Sequence, residues 1–274
     1  MILENIEKFT DFVPTAAGSD IRELQPFITE AEQWFQDEWF GADLYNYISG
    51  LPDDNNLKTY ATISICLRAY EQAIPFLDVI QTANGFAVVS NSNQAPASKE
   101  RVERLIVYVV RRLSEALDRV VLLVMSAPES LTEWKKSDIF LLRSSIVFLR
   151  TSELRNHSSN TVATYHDLDA CRPLVSKHQI TLSKYISESY LSELLNKFAE
   201  NVLTNFDKSV FTTIQMIIGL MLQQKEYYPF VESLLNRLAS HPDECLTYIA
   251  SDAYRIKTGA KYENKKDDKT YFFG

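Results

Sequence analysis

Asp20 to Ile48 reads D-I-R-E-L-Q-P-F-I-T-E-A-E-Q-W-F-Q-D-E-W-F-G-A-D-L-Y-N-Y-I. Ile21, Leu24, Phe27, Ile28, Ala31 and Phe35 recur at spacings of three and four, which lines one face of an amphipathic helix. Pro26 falls inside the pattern. Proline lacks an N–H and suits a first turn, so the helix is expected to start near Gln25. Phe40-Gly41 is expected to break or bend it before it resumes through Leu44 and Ile48. The chain then repeats the stretch. From Asp167 it reads D-L-D-A-C-R-P-L-V-S-K-H-Q-I-T-L-S-K-Y-I-S-E-S-Y-L-S-E-L-L. Asp20 meets Asp167 and Pro26 meets Pro173, both 147 residues apart. In that register Ile21 meets Leu168, Ile28 meets Val175, Phe35 meets Leu182, Trp39 meets Ile186 and Leu44 meets Leu191. Any two amphipathic helices share an apolar period. An aligned Asp, an aligned Pro and a register held over about eight turns are harder to obtain without common descent. The expectation is an internal duplication, and with it a mainly α protein of two tandem, pseudo-repeated helical units.

Outward from this stretch, residues 2–18 suggest a short helix followed by an extended connection through Val13-Pro14 and Ala16-Ala17-Gly18. Residues 50–55 carry turn chemistry. Leu57 to Ile80 has a helical period but is apolar on nearly every side, the pattern of a helix buried all round. Pro75 is expected to kink or split it. Val210 to Gln224 is its apolar counterpart, and Pro229-Phe230-Val231-Glu232 echoes Pro75-Phe76-Leu77-Asp78, more weakly and at an offset of 154. Residues 81–97 leave the helical pattern. Asn84-Gly85 signals a turn, and Phe86 to Val89 form a short β-type run. Ser98 is placed to N-cap a long helix reaching about Met125, ended by Ala127-Pro128. Ser145 to Leu149 is β-branched and reads as either a strand or a helix end. Phe198 to Phe206 is expected to continue a helix, with two short helices over Tyr227 to Ala239 and Pro242 to Ala253. The expected units are 1–128, a connecting segment 129–166, a second unit 167–256 and a C-terminal arm 257–274.

The 274 residues are 46% hydrophobic and 23% charged, ordinary for a folded globular chain. Seven glycines leave little material for phosphate-cradling loops. A formal charge of −8 repels nucleic acid on average, so no specific nucleic-acid binding is expected. Cys66, Cys171 and Cys245 are odd in number and lack metal-type spacing, which fits free thiols in a reducing compartment. The N-terminus lacks the order of a signal peptide, and Met216 to Leu222 is far too short to span a bilayer. The expected location is the cytoplasm on synthesis, with no membrane partner.

Catalytic constellations are missing from the sequence. There is no G-x-S-x-G, G-x-x-x-x-G-K-[ST], G-x-G-x-x-G or H-E-x-x-H, and no catalytic residue or cofactor is expected. His166, Asp167, Asp169 and Cys171, with His178 two turns on, have a permissive metal spacing. Asp167, however, reads as a helix N-cap, and Cys171 and His178 fall on the apolar face, so no metal is expected. Glu30, Glu32, Asp37, Glu38 and Asp43 read as a solvated helix face. Arg104, Arg111, Arg112 and Arg119, interleaved with Glu103, Glu115 and Asp118, read as a self-neutralising one. Trp34 lies beside the apolar stripe, where an aromatic extends a core or marks a contact surface. Phe86, Val88 and Val89, and Tyr271, Phe272 and Phe273 in the arm, are short apolar runs in polar surroundings. They are the expected partner-binding elements, able to add as strands to an edge on a neighbour.

Several stretches together resemble a known family. They are L-x-P-F-I-x-x-A-E-x-x-F with F-G-A-D-L-Y after it, P-A-S-K-E-R-V-E-R-L, E-W-K-K-S, L-x-x-C-R-P-L-V and the closing K-T-Y-F-F-G. These are similar to virion-type proteins encoded in prophages of gut anaerobes. More loosely, Asp20–Leu44 followed by Leu57–Tyr70, with its Ala69-Tyr70-Glu71 end, is similar to the helical core of head–tail connector proteins of long-tailed phages. The resemblance implies a non-enzymatic, ring-forming structural protein that ends in the virion. Its partners would be portal or other connector subunits, or further copies of itself as a homo-oligomer. A bacterial helical scaffold without a link to virions is the alternative, and a hydrolase with an unrecognised carboxylate site a third class.

Overall fold

In the computed structural model the described residues are 2–3, 7–16, 21–77, 80–82, 85–87 and 98–259. The protein is mainly α. After α1 (Glu7–Phe12) and a 3-10 turn at Pro14–Ala16, α2 runs Ile21–Trp34, passes through a π-helical turn at Phe35–Phe40, and restarts as α3 (Gly41–Ser49). The restart falls at Gly41, whose φ of 77° is open to glycine at little cost. α4 (Asn56–Leu77) leads to an antiparallel pair, β1 (Ile80–Thr82) and β2 (Gly85–Ala87), in which Ile80 faces Ala87 and Thr82 faces Gly85. Gly85 of the expected Asn84-Gly85 turn is paired with Thr82, while Asn84 lies outside the described residues. α5 (Lys99–Ser126), α6 (Pro128–Lys135) and α7 (Asp138–Ser144) complete the first half.

The second half starts with α8 (Thr151–His157) and α9 (Tyr165–Ile186), then α10 (Glu188–Ala199), α11 (Asn205–Leu222) and α12 (Tyr228–Ser240). After a 3-10 turn at Pro242–Glu244 come α13 (Leu246–Ile249) and α14 (Asp252–Thr258). Two apolar cores result. One gathers α1 to α7 around α4; the other gathers α8 to α13 around α9 and α11. No helix of the described residues is long and apolar enough to cross a membrane.

The two long amphipathic helices share a backbone course. Pro26 and Pro173 both lie inside their helices. α2 and its π turn end at Gly41 (φ 77°, ψ 164°), and α9 ends at Ser187 (φ 71°, ψ 146°); each is followed at once by another helix. These two residues are 146 apart, one less than the 147 of the prolines. A π turn holds one residue more than an α turn, which accounts for the difference. Beyond the turn the buried pairs are therefore Leu44 with Tyr190 and Ile48 with Leu194, rather than Leu44 with Leu191.

Other expectations change. Pro26 does not lie in a first turn, since α2 starts at Ile21, and Pro75 does not split α4, which runs through it. Both prolines, like Pro173, are exposed, so the ring meets no neighbouring helix. Pro229 opens α12, whereas Pro75 sits near the end of α4, so the two are not equivalent. Pro14 starts a 3-10 turn rather than an extended link. Thr164, not Asp167, is the N-cap of α9; Asp167 is the third-position acid that accepts the Thr164 N–H. Residues 200–204 interrupt the helix expected over 198–206. Asn201 turns left-handed (φ 57°), and Thr204 with Asp207 caps α11. The stretch 242–253 holds a 3-10 turn and α13, with α14 opening at Asp252. Residues 145–149 are neither strand nor helix end; Ser145 is exposed, and 146–149 are irregular buried chain, with Ile146 to Phe148 in the second core and Leu149 in the first.

Candidate functional site: the seam between the two cores

Where the halves meet, residues far apart in sequence form one polar and aromatic seam. Trp34 packs edge-on against Tyr165, the first residue of α9, at 5.5 Å between centroids, and against Trp39 at 5.9 Å. The Arg68 guanidinium lies 4.9 Å over the Trp34 ring. Its Nη1 donates to the Tyr165 hydroxyl (2.8 Å) and to Glu71 Oε2 (2.9 Å). The Tyr165 hydroxyl in turn donates to Glu71 Oε2 (2.8 Å), and His166 Nε2 meets Glu71 Oε1 at 3.0 Å. Burial alone would raise the Glu71 carboxyl. The hydrogen bonds from His166, Arg68 and Tyr165 outweigh it and hold the group below its ordinary value. Burial, with Glu71 beside it, pushes the Tyr165 phenol up, so it stays a neutral donor.

A second cation closes the other end. Arg143 of α7 stacks on Trp39 at 3.5 Å, donates from Nε to the Glu38 carbonyl (2.9 Å) and pairs with Asp169 of α9 (3.3 Å). Burial lowers the guanidinium to about 10, with Asp169 opposing the shift.

Asp118 of α5 reaches across to α8. Its carboxylate accepts the Thr151 N–H (2.7 Å), the Ser152 N–H (2.8 Å) and the Thr151 hydroxyl (2.9 Å), with Arg155 Nη2 at 3.5 Å. A carboxylate at a helix N-terminus meets both its orphan N–H groups and its dipole. Asp118 is thus a buried clamp and no part of a solvated face. Beside it, Ser114 Oγ accepts the Tyr165 N–H at 3.0 Å.

The buried crossing at Ile146, Val147, Phe148 and Leu149 has no sheet partner, yet its backbone is served. Gln179 of α9 accepts the Val147 N–H (2.8 Å) and donates to the Ser145 carbonyl (2.9 Å); Gln215 of α11 donates to the Val147 carbonyl (2.7 Å). Glu153 takes the Leu149 and Arg150 N–H groups at 2.7 and 3.0 Å, and burial raises its carboxyl.

Each residue singled out in the sequence has a place. Trp34 is 7% exposed, so the contact surface it marks is the internal seam and not a face for an outside partner. Phe86 pairs through its backbone with Gln81 in the hairpin. Val88, Val89, Tyr271, Phe272 and Phe273 lie outside the described residues. Glu32 leaves the solvated set: it is buried, and accepts the Ile2 and Leu3 N–H groups at 2.8 and 3.2 Å. Glu30, Asp37, Glu38 and Asp43 are exposed. Among the described residues no group of three or more His, Cys, Asp and Glu could hold a metal ion. His166, Asp167 and Asp169 turn instead to Glu71, to Thr164, and to Arg143 and Arg172. All three cysteines are free, and burial raises Cys171 and Cys245 to about 11 and Cys66 further, which keeps the thiols protonated.

Among the described residues, the surface hollows at the second core show no reactive set. One, about 800 Å³, lies between α9, α10 and α14 and is rich in serine. Its Ser187 hydroxyl accepts the Tyr190 N–H, and Ser251 donates to the Tyr248 carbonyl, so both are spent on helix ends. Sequence reasoning missed Arg68, Glu71, Asp118, Arg143, Gln179 and Gln215 as seam residues. The one signal for them was polarity at positions that α4, α5, α7, α9 and α11 bury or half-bury.

Residues 19–140 match a family of unknown function (DUF6712), a stretch that covers α2 to α6 and the start of α7, and hence most of the first core. No curated protein and no solved structure matches the chain.

Proposed function

We propose that this chain is a non-enzymatic structural protein of a phage or prophage particle, a head–tail connector or head-completion protein that acts through protein–protein contacts. One observation carries the non-enzymatic part. The buried charged side chains of the described residues, Glu32, Lys58, Asp118, Arg143, Glu153 and Asp207, each hold backbone groups or an opposite charge of a neighbouring segment. Active sites keep perturbed charges facing a cleft; these are spent on fastening one element to the next. The shared course of α2–α3 and α9–α10 supports reading the chain as a tandem duplication, which in a ring would halve the number of chains needed. The virion part rests on the sequence resemblance. Gene neighbourhood tests it: portal and capsid genes beside this one support the reading, and a neighbourhood of host genes alone favours a bacterial scaffold.

A further inference from the structure

α2 and α5 both pack on α4 and make no comparable contact with each other. Their outer faces carry opposite charge. The outward row of α5 is Arg104, Tyr108, Arg111, Glu115, Arg119 and Leu122, all exposed and spaced by three or four. The Arg111 and Arg112 guanidinium groups lie over the Tyr108 ring at 5.6 and 6.0 Å, and Arg119 over Tyr60 at 5.7 Å, which holds these cations in place at the surface. The helix has six basic side chains against three exposed acids, Glu100, Glu103 and Glu115. Glu115 touches the row only through Arg111, at 3.9 Å. Among the described residues Arg101, Arg104, Arg112 and Arg119 have no carboxylate partner.

On the other flank, residues 21–49 expose Glu23, Glu30, Asp37, Glu38 and Asp43 against one base, Arg22. Lys136, at the C-terminal end of α6, stands near Asp43 at the far end. Glu23 and Glu30 are seven residues apart on α2, about 10.5 Å of helix rise, and Asp37 follows in the π-helical turn. Arg104 and Arg111 are also seven apart, with Arg119 eight further on. The two rows are therefore opposite in sign and nearly matched in pitch.

We propose that the arginine row of α5 docks on the acidic row of α2 in a second copy of this chain. Each copy has one basic and one acidic flank, so the contact is head-to-tail and repeats until a ring closes or a filament grows. From the preceding section the proposal takes only that the chain works by assembly. Because the charges are exposed, the contact is screened by salt.

Charge reversal on the full chain tests it by sedimentation velocity. Wild type should self-associate at about 0.05 M salt and dissociate at about 0.5 M. R104E/R111E/R119E and E23K/E30K/D37K should each weaken self-association about 100-fold, as expected from three lost pairs at roughly 1 kcal/mol each. An equimolar mixture of the two variants should associate again, since native and reversed flanks then complement one another, and so should one chain with both reversals. That rescue also proves the variants folded. Wild type that stays monomeric at low salt, reversals without effect, or a mixture without rescue each overturns the proposal. So does arginine-dependent binding of a short duplex DNA without self-association, which would make the row a nucleic-acid face. A monomeric chain that still co-purifies with particles sinks this contact alone; a chain that self-associates as described but is absent from particles sinks the particle reading alone.

Discussion

Asp118→Ala removes the carboxylate that receives the first turn of α8, and with it one fastening between the two cores. Three donors lose their acceptor: the Thr151 N–H at 2.7 Å, the Ser152 N–H at 2.8 Å and the Thr151 hydroxyl at 2.9 Å. Hydrogen bonds to a charged group are worth about 1.5–3 kcal/mol each, and a lost helix cap costs about 0.5–2 kcal/mol. The bonds share one carboxylate, so they do not add. Asp118 is only 8% exposed, and Arg155 loses its counter-charge as well. The expected loss is about 3–4 kcal/mol, in the range for breaking a buried pair, or roughly 6–16 °C in Tm. Asp118→Asn keeps the shape and one acceptor oxygen and should lose about half as much. The assay is urea unfolding of the full chain followed by far-UV circular dichroism, with Thr151→Ala and the double variant completing a cycle. If the clamp couples the cores, Asp118→Ala should also split a single transition into two. A loss under about 1 kcal/mol, or a cycle with no coupling, refutes the clamp.

Gln179→Leu should destabilise by about 2–4 kcal/mol, because the Val147 N–H and Ser145 carbonyl lose their partner inside the core; the same unfolding assay reads it, and a neutral result contradicts the role given to Gln179. Gly219→Ala would drive a methyl into the His157 carbonyl where α11 crosses α8, and should cost about 2–3 kcal/mol; a wild-type Tm would show that the helices do not approach this closely. The Glu71 carboxyl sits below its ordinary value, so it stabilises the fold above its unfolded pKa, and that share is lost as pH falls through the lower folded one. Glu71→Gln should therefore show a shallower loss of stability in acid than wild type, and parallel acid curves would contradict the assignment.

Local pattern made much of the fold legible. The three-and-four spacing of α2, its echo in α9, the all-round apolar α4 and the Ala127-Pro128 boundary depend on residues close in sequence. The seam does not. Glu71 meets Tyr165 and His166 across 94 and 95 residues, Gln215 serves Val147 across 68, and Asp118 caps α8 across 33. A glutamine or aspartate that serves a distant backbone looks, in sequence, like any polar residue on a helix. The prolines misled for a related reason. Their cost depends on which flank of the helix they occupy, and Pro26 and Pro75 lie on exposed ones. Trp34 was legible as an edge residue, but its partners Tyr165 and Arg68 were not, so an internal seam and an outer surface read alike.

Mass spectrometry of purified particles, induced from a host carrying the gene and separated on a density gradient, tests the central claim most directly. The account predicts this chain in the particle fraction at a fixed ratio to the portal protein, surviving a salt wash that strips adventitious proteins. Intact particles without the chain, all of it remaining in the free fraction, would contradict the account.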